Sequence, residues 1–478
     1  MDRIDAQRLA EWAGGRLVGG APAAPVGPDV VRDSREVTPG AVFVALRGER
    51  VDGHDFVAVA AAAGAGAALV DHEVAVDVPQ VLVDDTVGGL SALARSVVAD
   101  AKTRGLLVVG VTGSSGKTST KDLIAQVLET AGPTVAPAGS FNNEIGAPLT
   151  ACQVDATTRF LVAEMGARGI GHVAWLCGIT PPDIGVVINV GTAHLGEFGS
   201  REGIAQAKGE LVEAVPAQGW AVLNADDRRV AGMASRTRGR VALFSLAGDP
   251  AALPDAPGSA LRVWASDLRP DELQRYSFTL HAAGAVAAAE PVRLRLLGEH
   301  AVANALAAAA VGLCAGLAPD RIAAALGGAT TRSKWRMQLD QRGDGLAVLN
   351  DAYNANPDSM AKALQTVVEL RRPGGRVIAV LGDMLELGEG AAEAHRAIGR
   401  LAADLGVDEL VAVGGHGADL VAGFSACGRP ARYWPTKDDA VQQLVPVAGP
   451  SDVVLVKASR GIGLETVAEA LMKEGTDR

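Results

Sequence analysis

Short apolar runs alternate with longer segments of helical periodicity along most of this chain. The runs GLLVVGVTG (105–113), FLVAEMG (160–166), DIGVVINVG (183–191) and AVLNADD (221–227) are almost continuously apolar until their last residues. Such runs are typical of strands that are buried on both faces of a parallel sheet. Because helix-like segments separate them, the pattern predicts an α/β fold with parallel strands.

The same pattern divides the chain into three blocks, which we predict to be domains spanning 1–104, 105–330 and 331–478. A length of 478 residues agrees with about three domains at roughly 150 residues each. In the first block, strands are predicted at 41–46 and 80–83, and the Ala-rich stretch 56–70 is predicted to be a buried helix.

The second and third blocks differ in their expected strand arrangement. In the second, RYSFTLHA and PVRLRLL are candidate strands of an antiparallel insert at 262–297, followed by a helix at 301–313. The third repeats the alternation of parallel strands and helices, as in a Rossmann-like sheet. Its predicted strands are 346–351, 376–383, 409–415 and 452–459.

The stretch GVTGSSGKTST (110–120) follows an apolar strand and precedes a helix-like segment, which is the setting of a phosphate-binding loop. Its glycines allow backbone N–H groups to converge on phosphate oxygens, and the helix N-terminus favours negative charge. Lys117 is predicted to neutralise phosphate charge and Thr118 to offer a hydroxyl to Mg²⁺. The strict pattern requires glycine at position 111, where this chain has Val111. A glycine-rich turn without a ligand is the alternative.

Candidate metal ligands follow neighbouring strands. Glu164 ends one predicted strand and His194 follows the next, so both should emerge at the sheet edge that carries the phosphate loop. Bound ATP would bring Mg²⁺, which prefers oxygen ligands. The alternative to a metal ligand at His194 is a histidine with a purely structural role. Lys208 lies in the helix-like stretch REGIAQAKGELVEA, where the ordinary interpretation is a solvated lysine on a charged helix face.

Composition narrows the class of protein. The net charge of -11 disfavours a nucleic-acid or membrane-surface binder. Four widely spaced cysteines indicate neither a zinc knuckle nor a disulfide framework. The N-terminus lacks an apolar signal core, and no apolar stretch is long enough to span a bilayer. We therefore expect a cytoplasmic protein without membrane insertion.

A series of motifs in fixed order resembles the Mur ligase family, the ATP-dependent enzymes that form amide bonds in cell-wall precursors. The resemblance covers nearly the whole chain. It rests on the segments DSREVTPGAVFVALRGERVDGHDF (33–56), TGSSGKTST, SFNNEIGAPLT (140–150), EMG (164–166), NVGTAHLGEFGS (191–200), AKGEL (207–211), NADD (224–227), LGEHAVANALAAAA (297–310), DAYNANPDSM (351–360), LGDMLELGE (381–389) and VLVKASRGIGLE (454–465).

The resemblance implies a three-domain enzyme. Its N-terminal α/β domain would bind a UDP-muramoyl peptide, and its central P-loop domain would bind ATP. Its C-terminal Rossmann-like domain would bind the incoming amine. YNANP and LGDMLELGE are similar to family members that add a dipeptide. Members that add a diamino acid usually carry an Arg after the corresponding proline, where this chain has Asp358. The expected reaction joins D-alanyl-D-alanine to a UDP-N-acetylmuramoyl-tripeptide through an acyl-phosphate intermediate, as a step of peptidoglycan synthesis. The enzyme is expected to be a monomer.

Site roles carried over by the resemblance fall into three groups. The predicted ATP-binding residues are Gly113, Ser114, Ser115, Gly116, Lys117, Thr118, Ser119, Asn304, Arg336 and Asp351. Two Mg²⁺ ions are expected, and their predicted ligands are Thr118, Glu164, His194 and Lys208. Lys208 is expected to be carbamylated, so that it offers oxygen atoms to the metal. The predicted catalytic residues are Lys117, Lys208, His194 and Glu164. The predicted substrate contacts are Ser34, Arg35, Asn142, Asn143, Asn354 and Asn356.

Other readings remain at this point. A different member of the fold, such as a folylpolyglutamate synthetase or a diamino-acid-adding Mur ligase, would share the phosphate loop. A non-catalytic ATP-binding scaffold would share it too, although Lys117, Glu164, His194 and Lys208 are all present. The acidic charge and the lack of a basic aromatic surface disfavour a nucleic-acid translocase.

Overall fold

The computed structural model describes residues 1–48, 50–191, 198–254, 256–425 and 428–473. Three successive parts of the chain each build a sheet, with five, nine and six strands, and a two-stranded pair lies near the N-terminus. The α/β class with three sheet-based units is confirmed, while the exact domain boundaries stay a prediction. None of the helices within these ranges is long and apolar enough to cross a bilayer.

The first sheet has the strand order β2-β7-β6-β5-β4, parallel except for β2. Its strands and the N-terminal pair β1–β3 are β1 (Ile4–Asp5), β2 (Arg16–Val18), β3 (Pro25–Val26), β4 (Val30–Val31), β5 (Val42–Val44), β6 (Ala67–Val70) and β7 (Gln80–Leu82). The accompanying helices are α1 (Ala6–Ala13), α2 (Val57–Ala62) and α3 (Thr86–Thr103).

The prediction of one helix over 56–70 is wrong. The stretch forms the short helix α2, a turn and the strand β6. Gly64 in the turn has a φ of +98°, which a helix does not tolerate. Residues 67–70 are fully buried as a strand between β5 and β7. An Ala-rich sequence has little hydrophobic periodicity, so its pattern does not distinguish a helix from a strand. Here the segment AALV forms a strand that is buried in the sheet.

The second sheet has the order β16-β15-β14-β13-β12-β11-β8-β10-β9. Its strands are β8 (Leu107–Thr112), β9 (Thr134–Val135), β10 (Phe160–Glu164), β11 (Ile184–Val187), β12 (Trp220–Asn224), β13 (Arg240–Ser245), β14 (Leu261–Pro270), β15 (Arg275–Gly284) and β16 (Ala288–Leu297). Helices here are α4 (Lys117–Glu129), α5 (Gly146–Ala151), α6 (His172–Ile179), α7 (Arg201–Glu213), α8 (Arg228–Gly232), α9 (Glu299–Cys314) and α10 (Pro319–Gly328).

The antiparallel segment predicted near 262–297 is present, but it is not a separate insert. Strand β14 pairs in parallel with β13, and β15 and β16 add to it antiparallel, so they extend the central sheet. Helix α9, made largely of alanine, packs against α4 and strands β12 to β14. Its small side chains allow this close approach, because a Cβ at Gly312 would already lie 3.0 Å from Val127.

The third sheet has the order β17-β18-β22-β19-β20-β21, and all but the edge strand β17 are parallel. Its strands are β17 (Gln338–Gln341), β18 (Ala347–Asn350), β19 (Val377–Gly382), β20 (Glu409–Val413), β21 (Ala431–Trp434) and β22 (Val453–Lys457). Its helices are α11 (Pro357–Glu369), α12 (Ala391–Leu405), α13 (Gly417–Ser425), α14 (Lys437–Leu444) and α15 (Glu465–Lys473). The predicted parallel alternation is confirmed.

Candidate active site

The phosphate loop between β8 and α4 is held in shape by its neighbours. Gly116 stands before the first helical residue with a φ of +81°, and a Cβ there would lie 3.1 Å from Asn304 Oδ1. Glycine is therefore required at this position for both backbone and space. The backbone N–H groups of Ser114 and Ser115 donate to Asn189 Oδ1 at 2.9 and 3.0 Å. Asn189, which follows β11, was not predicted to belong to the site.

Lys117 is half-buried at the start of α4, and its Nζ donates to the carbonyl of Gly113 at 2.8 Å. Burial lowers the pKa of this ammonium, and the nearby Glu164 carboxylate opposes that shift. The lysine side chain is thus folded back on the phosphate loop, at the site where the loop would bind a phosphate group. An anion at the loop would compensate the charge that burial disfavours.

Glu164, at the end of β10, has one engaged and one unengaged oxygen. Oε1 accepts hydrogen bonds from Asn142 Nδ2 at 2.7 Å and from the Ser140 hydroxyl at 3.1 Å. Oε2 is buried, and within the described residues it has no hydrogen-bond partner. The Ser140 hydroxyl also contacts Thr118 Oγ1 at 2.7 Å. Oxygens of Glu164 and Thr118 therefore lie together around one small polar space, as a Mg²⁺ site requires.

Lys208 lies on α7 and is only 3% exposed. Burial, followed by the charge of Lys117, lowers its pKa well below the usual value. Across the described ranges no hydrogen bond or ion pair engages its amine. His194, the other predicted ligand in this region, lies outside the described residues.

A short link between the second and third sheets directs an arginine into the cleft. Trp335 and Met337 have φ values of +58° and +46°, which side chains rarely adopt, and they flank Arg336. Arg336 Nη2 donates to Thr118 Oγ1 at 3.2 Å and to Ser140 Oγ at 3.3 Å. Its guanidinium also stacks over the Tyr353 ring at 4.1 Å. Arg336 therefore reaches Thr118 at the phosphate loop, while its predicted contact with the ATP phosphates stays a prediction.

Asp351 anchors this link to the third sheet. Its Oδ1 accepts from the Met337 N–H at 3.0 Å, and its Oδ2 pairs with Lys457 Nζ at 2.5 Å. Lys457, at the end of β22, is 1% exposed and also donates to the carbonyl of Asn354 at 2.8 Å. Both oxygens of Asp351 are thus engaged in the protein, and its contact with ribose stays a prediction. Lys457 was missed, although it ends an apolar strand at the same sheet edge.

The two predicted amide contacts have different surroundings. Asn356 caps α11, because its Oδ1 accepts from the Ser359 N–H at 2.9 Å while Ser359 Oγ accepts from the Asn356 N–H at 3.0 Å. Asn354 Oδ1 accepts from the adjacent Ala355 N–H. Both residues line the cleft, so substrate contact remains a prediction for each.

A narrow side cleft beside the phosphate loop contains Asn304, Ser119, Leu296 and His300. His300, the second residue of α9, sits where burial and the charge of Lys362 lower the pKa of its imidazole to about 4. The ring is therefore neutral at pH 7. The side cleft combines apolar groups with the Asn304 amide, and the predicted contact of Asn304 with ATP stays a prediction. His300 was also missed, since its partners are distant in sequence.

The remaining predicted substrate contacts lie in two places. Asn143 Oδ1 accepts from the Gly146 N–H at 2.8 Å at the start of α5, and the residue lines the main cleft together with Asn142. Ser34 and Arg35 belong to the first sheet unit and do not line this cleft. The Arg35 side chain is 87% exposed and pairs with Asp33.

The main cleft has a volume of about 360 Å³ and joins the carboxyl ends of strands in the second and third sheets. Ligands of open parallel sheets bind at such ends. Gly113 accepts a hydrogen bond from Lys117 with its carbonyl and does not itself line the cleft. The predicted residues that line the cleft are Ser114, Ser115, Gly116, Lys117, Thr118, Ser119, Asn142, Asn143, Glu164, Lys208, Asn304, Arg336, Asp351, Asn354 and Asn356.

The fold and this cleft define an α/β enzyme with a phosphate loop facing a second parallel sheet, and comparison with known families agrees. Residues 30–108 match the model described as Mur ligase family, catalytic domain. Residues 111–312 match the Mur ligase middle domain, and residues 335–460 match the Mur ligase, glutamate ligase domain. The chain belongs to the Mur ligase family.

Particular relatives are similar over nearly their whole length. A UDP-N-acetylmuramoyl-tripeptide–D-alanyl-D-alanine ligase of Mycobacterium tuberculosis is 46% identical over 482 residues, covering 93% of this chain and 92% of the relative. The crystal structure of MurF from Acinetobacter baumannii has a TM-score of 0.86 at 31% identity, covering 99% of this chain and 100% of the other. MurF ligase from Thermotoga maritima in complex with ADP has a TM-score of 0.76 at 28% identity, covering 93% and 97%.

Proposed function

We propose that this protein is an ATP-dependent ligase that joins D-alanyl-D-alanine to the free carboxylate of a UDP-N-acetylmuramoyl-tripeptide, giving ADP and phosphate. The observation that carries the proposal is the shared cleft, in which the phosphate loop, Glu164 and Lys208 face the loops of the third sheet. The named relatives and the ADP complex of the Thermotoga maritima neighbour support the same substrates.

The chemistry follows from charge. A carboxylate oxygen of the tripeptide attacks the γ-phosphorus of ATP, and the bond from that phosphorus to the ADP oxygen breaks. Both partners are anions, so Lys117 and Arg336 would bind the phosphates and reduce their repulsion. The neutral amine of the dipeptide then attacks the acyl-phosphate carbon. The tetrahedral intermediate expels phosphate with the electron pair of the C–O bond, and the nitrogen loses a proton as the amide forms.

The residues present fit Mg²⁺. The unengaged oxygen of Glu164 is a ligand that Mg²⁺ prefers, and the Thr118 hydroxyl would become one by exchanging its contact with Arg336 for the ion. Bound Mg²⁺ would supply charge neutralisation at the transferring phosphoryl group. His194 and Lys208 are proposed to serve a second ion.

Carbamylation of Lys208 belongs to this proposal. A buried lysine with a lowered pKa holds a neutral amine more readily, and a neutral amine is the form that reacts with CO₂. The product is an anion with oxygen atoms, so it could serve as a Mg²⁺ ligand where an ammonium could not.

Further parts of the proposal concern the whole chain. The three domains would span 1–104, 105–330 and 331–478, with the uridine diphosphate end of the substrate at Ser34 and Arg35. Asn142 and Asn143 would contact the nucleotide-sugar substrate. We also propose that the protein acts as a cytoplasmic monomer, in the compartment that supplies ATP.

A phosphate-release assay over a panel of muramoyl peptides and amines tests the function. We expect release that depends on ATP, UDP-N-acetylmuramoyl-tripeptide and D-alanyl-D-alanine together. Faster turnover with a single diamino acid and a muramoyl dipeptide would favour the other Mur ligase activity. ATP hydrolysis that is indifferent to every muramoyl peptide would leave only a nucleotide-binding scaffold.

A further inference from the structure

A second cleft, of about 250 Å³, adjoins the main one on the side of the third sheet. Ser114 and Lys117 of the phosphate loop form one wall. The opposite wall comes from loops that follow β18, β19 and β22, including Leu385, Glu386 and Arg460. This is a place from which a second substrate could reach an acyl phosphate formed beside Lys117.

Arg460 is held at this cleft by two contacts. Its Nη1 pairs with Glu465 Oε1 at 2.6 Å, and its guanidinium stacks over the Trp335 ring at 4.4 Å. The side chain is still half exposed. A guanidinium has five N–H donors in a fixed plane, so these contacts fix its orientation and leave donors for a planar carboxylate.

An apolar side chain, that of Leu385, lines the same cleft. Leu385 is 47% exposed. Its backbone N–H donates to Ser459 Oγ at 2.9 Å, and its Cδ1 lies 3.4 Å from where a Cβ of Gly461 would be. A cation and an apolar side chain, both on loops of the third sheet, thus line the same cleft as Ser114 and Lys117.

The backbone around the cleft supports a binding role. Glu386, next to Leu385, has a φ of +64°, and Trp335 under Arg460 has a φ of +58°. Non-glycine residues in this conformation are costly and concentrate at ligand sites. Glu386 in the cleft wall and Trp335 behind Arg460 therefore have backbone conformations that their residue types do not favour.

We propose that Arg460 binds the C-terminal carboxylate of the incoming dipeptide. The terminal methyl group lies against Leu385, and the amine points toward Ser114 and Lys117. This assignment rests on the proposed function and adds to it the residue that selects an amine bearing a distant carboxylate. It uses the composition of the cleft, which is lined by this cation on the third-sheet side and by Ser114 and Lys117 of the phosphate loop.

The test compares D-alanyl-D-alanine with its C-terminal amide in the full-length protein. For the unmodified enzyme we expect kcat/KM to favour the acid by on the order of 10- to 100-fold, the usual effect of a hydrogen bond to a charged group. Arg460→Gln should lower kcat/KM for the acid by a similar factor and leave the amide almost unchanged. Arg460→Lys, which keeps charge but loses the fork, should lie between them.

Arg400→Gln is the matched control. Arg400 is equally exposed and pairs with Glu393 at 2.6 Å, but it lies on α12 and lines neither cleft. It should change neither substrate's kinetics. KM values for ATP and the muramoyl tripeptide should stay constant in all variants.

The outcomes separate the two proposals. An equal fall for acid and amide in Arg460→Gln would show a structural effect and overturn the assignment. So would an unmodified enzyme that uses both substrates equally well. Hydroxylamine trapping of the acyl phosphate needs no dipeptide and reports the first half-reaction. If trapping succeeds but no dipeptide is ligated, the proposed function fails rather than the role of Arg460.

Discussion

Arg336 Nη2 donates a hydrogen bond to Thr118 Oγ1 across 3.2 Å, although the two residues are 218 positions apart. The contact connects the link before the third sheet directly to the residue that follows the phosphate-loop lysine. The two flanking residues have positive φ values, so the backbone is shaped around this arginine. The geometry makes Arg336 a bridge between the phosphate loop and the link that precedes the third sheet.

Replacing Arg336 should therefore impair the use of ATP. We expect Arg336→Lys to lower kcat/KM for ATP by on the order of 10- to 100-fold, because lysine keeps the charge but cannot contact Thr118 and stack on Tyr353 at once. Initial-rate kinetics with varied ATP provide the measurement. Arg332→Lys is the control, since Arg332 pairs with Glu129 outside the cleft. Equal effects of the two substitutions on kcat/KM for ATP would contradict a specific role of Arg336 in the use of ATP.

The sequence predicted the fold better than it predicted contacts. Continuous apolar runs identified the parallel strands because two-sided burial leaves that pattern. The stretch 56–70 was misread because alanine and glycine carry little periodic signal. The position of Glu164 at a strand end predicted that it lies at the phosphate loop. Arg336 was predicted to bind ATP only from the family resemblance. The pair Lys457–Asp351 joins residues 106 positions apart, and no local pattern encodes such a partner. The same holds for Asn189, which supports the phosphate loop from a neighbouring strand.

Lys457 is predicted to be needed for the stability of the third sheet. Lys457→Met leaves the Asp351 carboxylate buried without its cation, and breaking such a pair costs about 3–5 kcal/mol. Urea-denaturation midpoints would measure the loss. The double variant Lys457→Met with Asp351→Asn should recover part of the stability, because it removes the uncompensated charge. A double variant less stable than the single one would contradict this account.

Lys208 is predicted to be essential for turnover. Lys208→Ala should abolish phosphate release while leaving the circular dichroism spectrum and unfolding temperature close to those of the unmodified protein. Short-chain carboxylic acids should restore part of the activity, because they return a carboxylate to the space that a carbamate would fill. Lys102→Ala is the control, since Lys102 pairs with Asp183 away from the cleft. If neither carboxylic acids nor bicarbonate changed any Lys208 variant, the carbamate proposal would fail.

His300 should make the protein sensitive to mild acid. Its pKa is lowered from 6.5 to about 4 by burial and by the charge of Lys362, with Asp351 opposing and Lys457 adding to the effect. Between these two pH values the unfolded chain binds a proton that the folded chain does not, so the free energy of unfolding falls as pH drops from about 6.5 to 4. The loss from this group amounts to at most about 3.5 kcal/mol, at roughly 1.4 kcal/mol per pKa unit.

Below the folded pKa both states are protonated and the contribution of His300 no longer changes. Urea midpoints at pH 7 and pH 4.5 would therefore show a smaller fall in His300→Gln than in the unmodified protein. His281→Gln, in the antiparallel strand β15, controls for removing a histidine elsewhere. Identical acid sensitivity in His300→Gln and the unmodified protein would mean that this imidazole accepts its proton as readily in the folded chain as in the unfolded one.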